Sequence, residues 1–267
     1  LTENLKLKEK SAVVTGGSRG IGKAIAISLA REGVNVVLAA RDQSRLEVSA
    51  AEIGELTNSK VIGIQCETTN EESVADLMKK AAQEFGSIDI LVNNAAQPGG
   101  PRPKLEQLSW TEHLLPQIDT KVMGYLRCAQ YAVPYMKNNG WGRIINISGL
   151  QARRSGSIVG SVRNVAVSAL TKNLADELGP EGINVNCIHP GFTRTEATRN
   201  SFEEQAKLAG SSVKEIEESM AEQNSIRQIV DAADIAVLVS FLASPLAIAI
   251  TGETIAAGGG AGNGIFY

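Results

Sequence analysis

The chain has 267 residues, 43% hydrophobic and 21% charged, which is enough for one α/β domain with a core of its own. A formal charge of −3 argues against nucleic acid as the main partner, because phosphate backbones want a basic face. Cys66, Cys128 and Cys187 form no CxxC pair and His113 and His189 are the only histidines, so neither a disulfide frame nor a metal site is expected.

The opening segment, LTENLKLKEK, is charged and lacks an apolar h-region, so no secretory signal is expected. Residues 11–15 then read as a first strand, followed by a glycine-rich loop and a helix at 21–32. Further strands are predicted at 34–40, 60–65 and 88–92, with a helix at 71–84 before the last of these. Strands at 143–148 and 183–189 flank a helix at 162–178, and 253–257 reads as a weaker seventh strand. Strand–helix alternation with near-continuous apolar strands predicts parallel strands covered on both faces. The expected architecture is one α/β Rossmann-type doubly wound sheet over residues 1–267.

One long insertion, 195–228, follows the sixth strand at the carboxyl edge, where open α/β sheets bind ligands. It reads either as a helical lid over a substrate cleft or as an amphipathic surface helix pair. The apolar run around 240–250 is interrupted by Ser244 and Pro245 and is too short to span a bilayer. A cytoplasmic location without membrane contact is the expectation.

The first strand runs into Thr15-Gly16-Gly17-Ser18-Arg19-Gly20-Ile21-Gly22 and then into a helix. Glycines at 16, 20 and 22 permit a tight turn and close approach of backbone to a pyrophosphate, and the helix N-terminus aims free N–H groups at its charge. The second strand ends in Ala40-Arg41. An acidic residue there would repel a 2′-phosphate, whereas Arg41 and Arg19 offer guanidinium forks that suit one, so NADP(H) is the expected cofactor.

These features, TGxxxGxG above all, resemble the short-chain dehydrogenase/reductase family, and the resemblance spans nearly the whole chain. Asn93-Asn94-Ala95-Ala96 looks like the family's NNAG, and Glu67, followed by Thr68, stands where the family has an adenine-contacting Asp. Pro190-Gly191-Phe192-Thr193-Arg194-Thr195 matches PGxxxT, which implies that Thr193 backbone and Thr195 side chain hold the nicotinamide carboxamide. Thr251-Gly252-Glu253 resembles the TGQ before the last strand. Family members reduce carbonyls with a Tyr that donates the proton, a Lys that tunes it, a Ser that holds the oxygen and an Asn that supports a relay water.

Here residues 136–266 contain no tyrosine and residues 138–171 no lysine. Aligned on Leu170-Thr171-Lys172, the Tyr position falls on Gly160 and the Lys position on Asn164. Aligned on 143–147, the Ser position falls on Gly149, with Ser148 one residue earlier and expected on the opposite face of its strand. The Asn position holds Lys121, so Asn and Lys look exchanged. Lys121 is read either as a substitute acid in a half-buried cleft, acting itself or by orienting a water, or as a solvated helix residue. Arg153, Arg154 and Arg163 around these positions suit an anionic substrate or an acyl-CoA phosphate, the first two reading equally as a solvated loop; His189 reads as structural, and Tyr267 is a remote candidate for a neighbouring subunit's cleft.

Two expectations follow. Either the chain is an NADP(H)-binding oxidoreductase with altered acid chemistry and weak ordinary carbonyl reduction, or it is a non-catalytic subunit beside an active relative. The helix at 162–178, apolar at 162, 165, 166, 169, 170 and 174, would form the contact in a homo- or hetero-oligomer.

Overall fold

The computed structural model describes residues 5–97 and 102–262. Its first half alternates β1 (Ser11–Thr15), α1 (Gly20–Arg31), β2 (Asn35–Ala40), α2 (Gln43–Thr57), β3 (Val61–Gln65), α3 (Glu71–Phe85) and β4 (Ile90–Asn93). A short α4 (Leu115–Ile118) and then α5 (Gly124–Asn138), β5 (Gly142–Ile147), α6 (Ile158–Leu178) and β6 (Ile183–Pro190) follow. The chain closes with β7 (Thr193–Arg194), α7 (Glu196–Ala209), α8 (Val213–Ala221), β8 (Val230–Asp231), α9 (Ala232–Ala243) and β9 (Thr254–Ala257). The expected strands are all present, with ends that move by one or two residues.

Seven parallel strands form one sheet in the order β3-β2-β1-β4-β5-β6-β9. The order reverses between β1 and β4, which opens a crevice at their carboxyl ends. Successive strand residues point to opposite faces, and both faces are covered. Ala12, Val14, Leu38 and Val92 join α1, α2 and α9 on one side, while Val13, Val37 and Leu91 join α3, α5 and α6 on the other. Each fully buried Val, Leu or Ile contributes about 1.5–3 kcal/mol, so the two layers hold the sheet edge rigid under the loops.

Two helix starts show why the boundaries lie where they do. Asp42 accepts the Arg45 N–H at 3.1 Å and Asn70 accepts the Ser73 N–H at 2.8 Å, closing the first turns of α2 and α3. The insertion at 195–228 is helical: α7 and α8 both open with reciprocal capping boxes, at Thr195/Thr198 and Ser212/Glu215. The two-residue strands β7 and β8 clamp its base, a pairing too short to leave a periodic signal in the sequence.

Candidate active site

The loop after β1 is built for an anion. Gly16 and Gly20 adopt φ of +65° and +54°, and a Cβ on Gly22 would stand 2.2 Å from the Gly16 carbonyl oxygen. Asn94 locks the loop from below, its Nδ2 donating to the Thr15 and Gly16 carbonyls at 3.1 Å each, and the Thr15 hydroxyl accepts the N–H groups of Asn94 and Ala95. Ser18 is buried and its carbonyl accepts the Ser49 hydroxyl. Helix α1 starts at Gly20-Ile21-Gly22 with no side-chain cap from Arg19 and no acidic residue in its first turn, leaving amides for phosphate oxygens. One of them, Gly20 N–H, donates to a Glu196 carboxylate oxygen at 3.2 Å, so a negative group already sits on the loop. Gly22→Ala should lower the melting temperature by several degrees, since backbone must move and overpacking costs about 1–3 kcal/mol. An unchanged thermal melt would show that the loop tolerates the methyl group.

At the end of β2, Ala40 is half-buried and Arg41 is exposed, with its Nη1 3.7 Å from a Glu67 carboxylate oxygen. Arg19 is likewise exposed, while Thr68 is buried and its carbonyl accepts Arg127. No acidic side chain occupies the strand end itself, so the donor set fits a dinucleotide bearing a 2′-phosphate. On the far side, Gly191 passes so close to Gly258 that a Cβ would lie 2.7 Å from its Cα. The hydroxyls of Thr193 and Thr195 serve the protein: Thr193 Oγ1 donates to the Gly191 carbonyl and Thr195 Oγ1 accepts the Thr198 N–H, leaving the backbone of the 190–195 loop to line the cleft.

Lys121 is not a solvated helix residue. It lies in a π-helical turn, Asp119–Met123, is only 4% exposed, and its Nζ donates to the Ser148 carbonyl at 2.9 Å. The wider turn rotates its side chain toward β5. Burial depresses its ammonium from an ordinary 10.5 to about 7, the Arg163 guanidinium pushes the same way, and Cys187 opposes them.

Ser148 corrects the expectation of an opposite face. β5 ends at Ile147, so strand alternation no longer governs residue 148, and its Oγ turns to α6, donating to the Asn164 carbonyl at 3.1 Å with Asn164 Oδ1 at 3.3 Å. Gly149 points the same way: a Cβ there would meet Asn164 Nδ2 at 3.2 Å. Lys121, Ser148, Gly149 and Asn164 are therefore one cluster. Gly160 sits one turn earlier on α6, buried, with its N–H capped by Ser157 Oγ at 3.0 Å.

The neighbours of this cluster come from segments with no motif of their own. Tyr125 is buried and donates its hydroxyl to the Ile147 carbonyl at 2.8 Å. Arg163 donates to the Gln97 carbonyl at 3.2 Å and to Gln117 Oε1, and Gln117 Nε2 in turn donates to Gln97 Oε1. The four-residue spacing of Gln117 and Lys121 was the only available hint. Arg153 reaches the Thr254 carbonyl at 3.0 Å instead of standing in solvent, whereas Arg154 is exposed. His189 pairs its Nε2 with Ser168 Oγ at 3.0 Å, and burial lowers it to about 4, which keeps it neutral and structural. Tyr267 lies outside the described residues. Among those residues no helix is long and apolar enough to cross a membrane.

Known proteins place this arrangement in a family. The family described as enoyl-(acyl carrier protein) reductase matches residues 16–262. The NADPH-dependent reductase BacG of Bacillus subtilis is 31% identical over 95% of this chain and 98% of its own length. The 3-oxoacyl-[acyl-carrier-protein] reductase FabG of Staphylococcus aureus is 36% identical over 94% of this chain and 97% of its own. Among solved structures, L-sorbose reductase of Gluconobacter frateurii, complexed with NADPH and L-sorbose, superposes with a TM-score of 0.91 at 30% identity, covering 98% of this chain and 100% of that one. With its sheet order, its phosphate loop and these relatives, the chain belongs to the short-chain dehydrogenase/reductase family.

Proposed function

We propose that this protein is an NADP(H)-dependent reductase in which Lys121 takes over the proton transfer that family members assign to a tyrosine. The cofactor is NADP(H): exposed Arg41 at the end of β2 and Arg19 in the glycine loop suit a 2′-phosphate, the 16–22 loop suits the pyrophosphate, BacG is an NADPH-dependent reductase and the sorbose reductase was solved with NADPH. When bound, the nicotinamide supplies the hydride. The chain's own residues do the rest.

The observation that carries this reading is the buried Lys121 ammonium held on the Ser148 carbonyl at the carboxyl edge of the sheet. With its acidity near 7 it carries a transferable proton at neutral pH, and its neighbours on α6, Gly160 and Asn164, supply neither a phenol nor a second ammonium. Such a donor suits reduction of a conjugated double bond. There hydride adds to the β-carbon, the electron pair moves to the oxygen as an enolate, and a cation near that oxygen stabilises it before the proton is delivered. The description of the matching family as an enoyl reductase points the same way.

An assay of NADPH oxidation against a simple enone and an acetoacetyl thioester tests this. Enone turnover should exceed ketone turnover by about 100-fold or more, since a positioned acid contributes about 10²–10⁴-fold to carbonyl reduction. Ordinary turnover of the acetoacetyl thioester would sink the reading.

A second reading, a supporting subunit beside an active relative, is favoured by the outer face of α6. Ile158, Val162 and Val165 are each about half exposed, and nearer the end of α6 a groove of about 450 Å³ between α5 and α6 is lined by Val133, Pro134 and Leu174. A soluble substrate still enters the cleft under the first reading, and α6 is then a homo-oligomer contact. Native mass spectrometry separates the two: a homo-oligomer supports the enzyme, a complex with a tyrosine-bearing relative supports the subunit.

A further inference from the structure

Two cations, Lys121 and Arg163, share one wall of the site with no carboxylate partner among the described residues. Arg163 is anchored on Gln117, Lys121 follows Gln117 by four residues on the continuous helical segment 115–123, and the guanidinium is near enough to help depress the ammonium. Asn164, next to Arg163, closes the ring through Ser148, whose carbonyl holds Lys121. The other titratable groups of the cluster are Tyr125 on α5 and Cys187 and His189 on β6, with Arg153 acting on His189. None is a carboxylic acid, and Asp119, on the turn of Lys121 itself, is taken by Arg127 at 2.7 Å.

Polar demand in this wall is also unmet. Lys121 has three donor hydrogens and Ser148 uses one, and Arg163 Nε is buried without a hydrogen-bond partner. Like charges in a desolvated wall repel, and a buried donor without a partner costs about 1–3 kcal/mol. A bound monoanion removes both penalties, and a carboxylate matches a guanidinium fork and an ammonium together.

We infer that the substrate of this site carries a carboxylate, which Arg163 and Lys121 bind next to the bond being reduced. This rests on the reading of the Lys121 cluster as the reaction site, and it narrows the substrate class to conjugated unsaturated compounds that carry a carboxylate. Arg163 is then a specificity-determining residue. Since burial disfavours the Lys121 ammonium before the anion arrives, binding of an anion favours its protonated form and draws protons from solvent near neutral pH.

The test is calorimetric titration of the protein with NADP⁺ using benzoate and oxamate, their neutral amides, and inorganic phosphate, in two buffers of different ionisation enthalpy. No hydride transfer is involved, so the result is independent of whether the reductase assay succeeds. The acids should bind at least about tenfold more tightly than the amides and with net proton uptake. Arg163→Gln and Lys121→Met, both verified as folded by thermal melting, should each abolish that preference. Equal affinity for acids and amides, no binding of either acid, or an unchanged preference in Arg163→Gln overturns the inference. Tighter binding of phosphate than of both acids overturns the carboxylate assignment.

Discussion

Lys121→Met lowers kcat/KM for the enone substrate by about 10²–10⁴-fold and at the same time makes the protein more stable. The two effects have one cause. The side chain is 4% exposed, so its charge is desolvated, and the fold holds it only against a penalty that appears as an acidity shift from 10.5 to about 7. Methionine fills nearly the same volume without that charge, and its flexible chain suits an irregular site. The gain should be on the order of a few kcal/mol at pH 7 or below.

The sign with pH follows from linkage. The unfolded chain keeps Lys121 protonated up to about 10.5, whereas the folded chain releases that proton near 7. Between those values the unfolded state binds more protons, so this residue's contribution makes the native protein relatively more stable as pH rises. Lys121→Met should therefore show its largest stabilisation at pH 7 and below and lose it toward pH 10.5. Activity runs the other way, because the acid must be protonated: kcat/KM falls above about pH 7 in the native protein. Denaturant melts across this range and a pH–rate profile check both halves. A variant that keeps its rate, or that loses stability at low pH, removes Lys121 from the mechanism.

Arg41→Ala weakens NADPH binding by about 10- to 100-fold and leaves NADH almost unaffected, because a charge-assisted hydrogen bond contributes about 1.5–3 kcal/mol. The competing partner is weak. Arg41 and Glu67 are 3.7 Å apart and both substantially exposed, and an exposed pair contributes about 0–1 kcal/mol. A dianionic 2′-phosphate therefore displaces the carboxylate. Ala40→Asp should go further and reverse the preference, since it adds the repelling charge at the strand end. Fluorescence titration with both dinucleotides reads the result, and parallel losses for NADH and NADPH would place Arg41 outside the phosphate contact.

The cofactor half of the site was legible in the chain because its chemistry is local. Gly16, Gly20 and Gly22 are consecutive signals for one turn, Ala40-Arg41 ends one strand, and backbone amides do the binding. The sheet was legible for the same kind of reason: apolar strands and periodic helices each announce themselves within a short window. Strand ends drifted by a residue or two where edge hydrogen bonds, not hydropathy, set the limit.

The Lys121 cluster was not legible, because it is assembled from distant segments. Nothing in the residues around 121 says that their lysine is buried; that follows from a π-helical turn which aims it at Ser148, 27 residues away. Nor does the sequence around 148 say that its serine faces Asn164, since period-2 alternation fails once β5 ends at Ile147. The sequence by itself determined the sheet, the phosphate loop and the preference for a 2′-phosphate, and it holds no tyrosine between 136 and 266 and no lysine between 138 and 171. Only the tertiary structure decided that Lys121 and Arg163 meet in one desolvated wall. Charge and acidity there are properties of the surrounding packing, and packing is shared among segments that the sequence keeps apart.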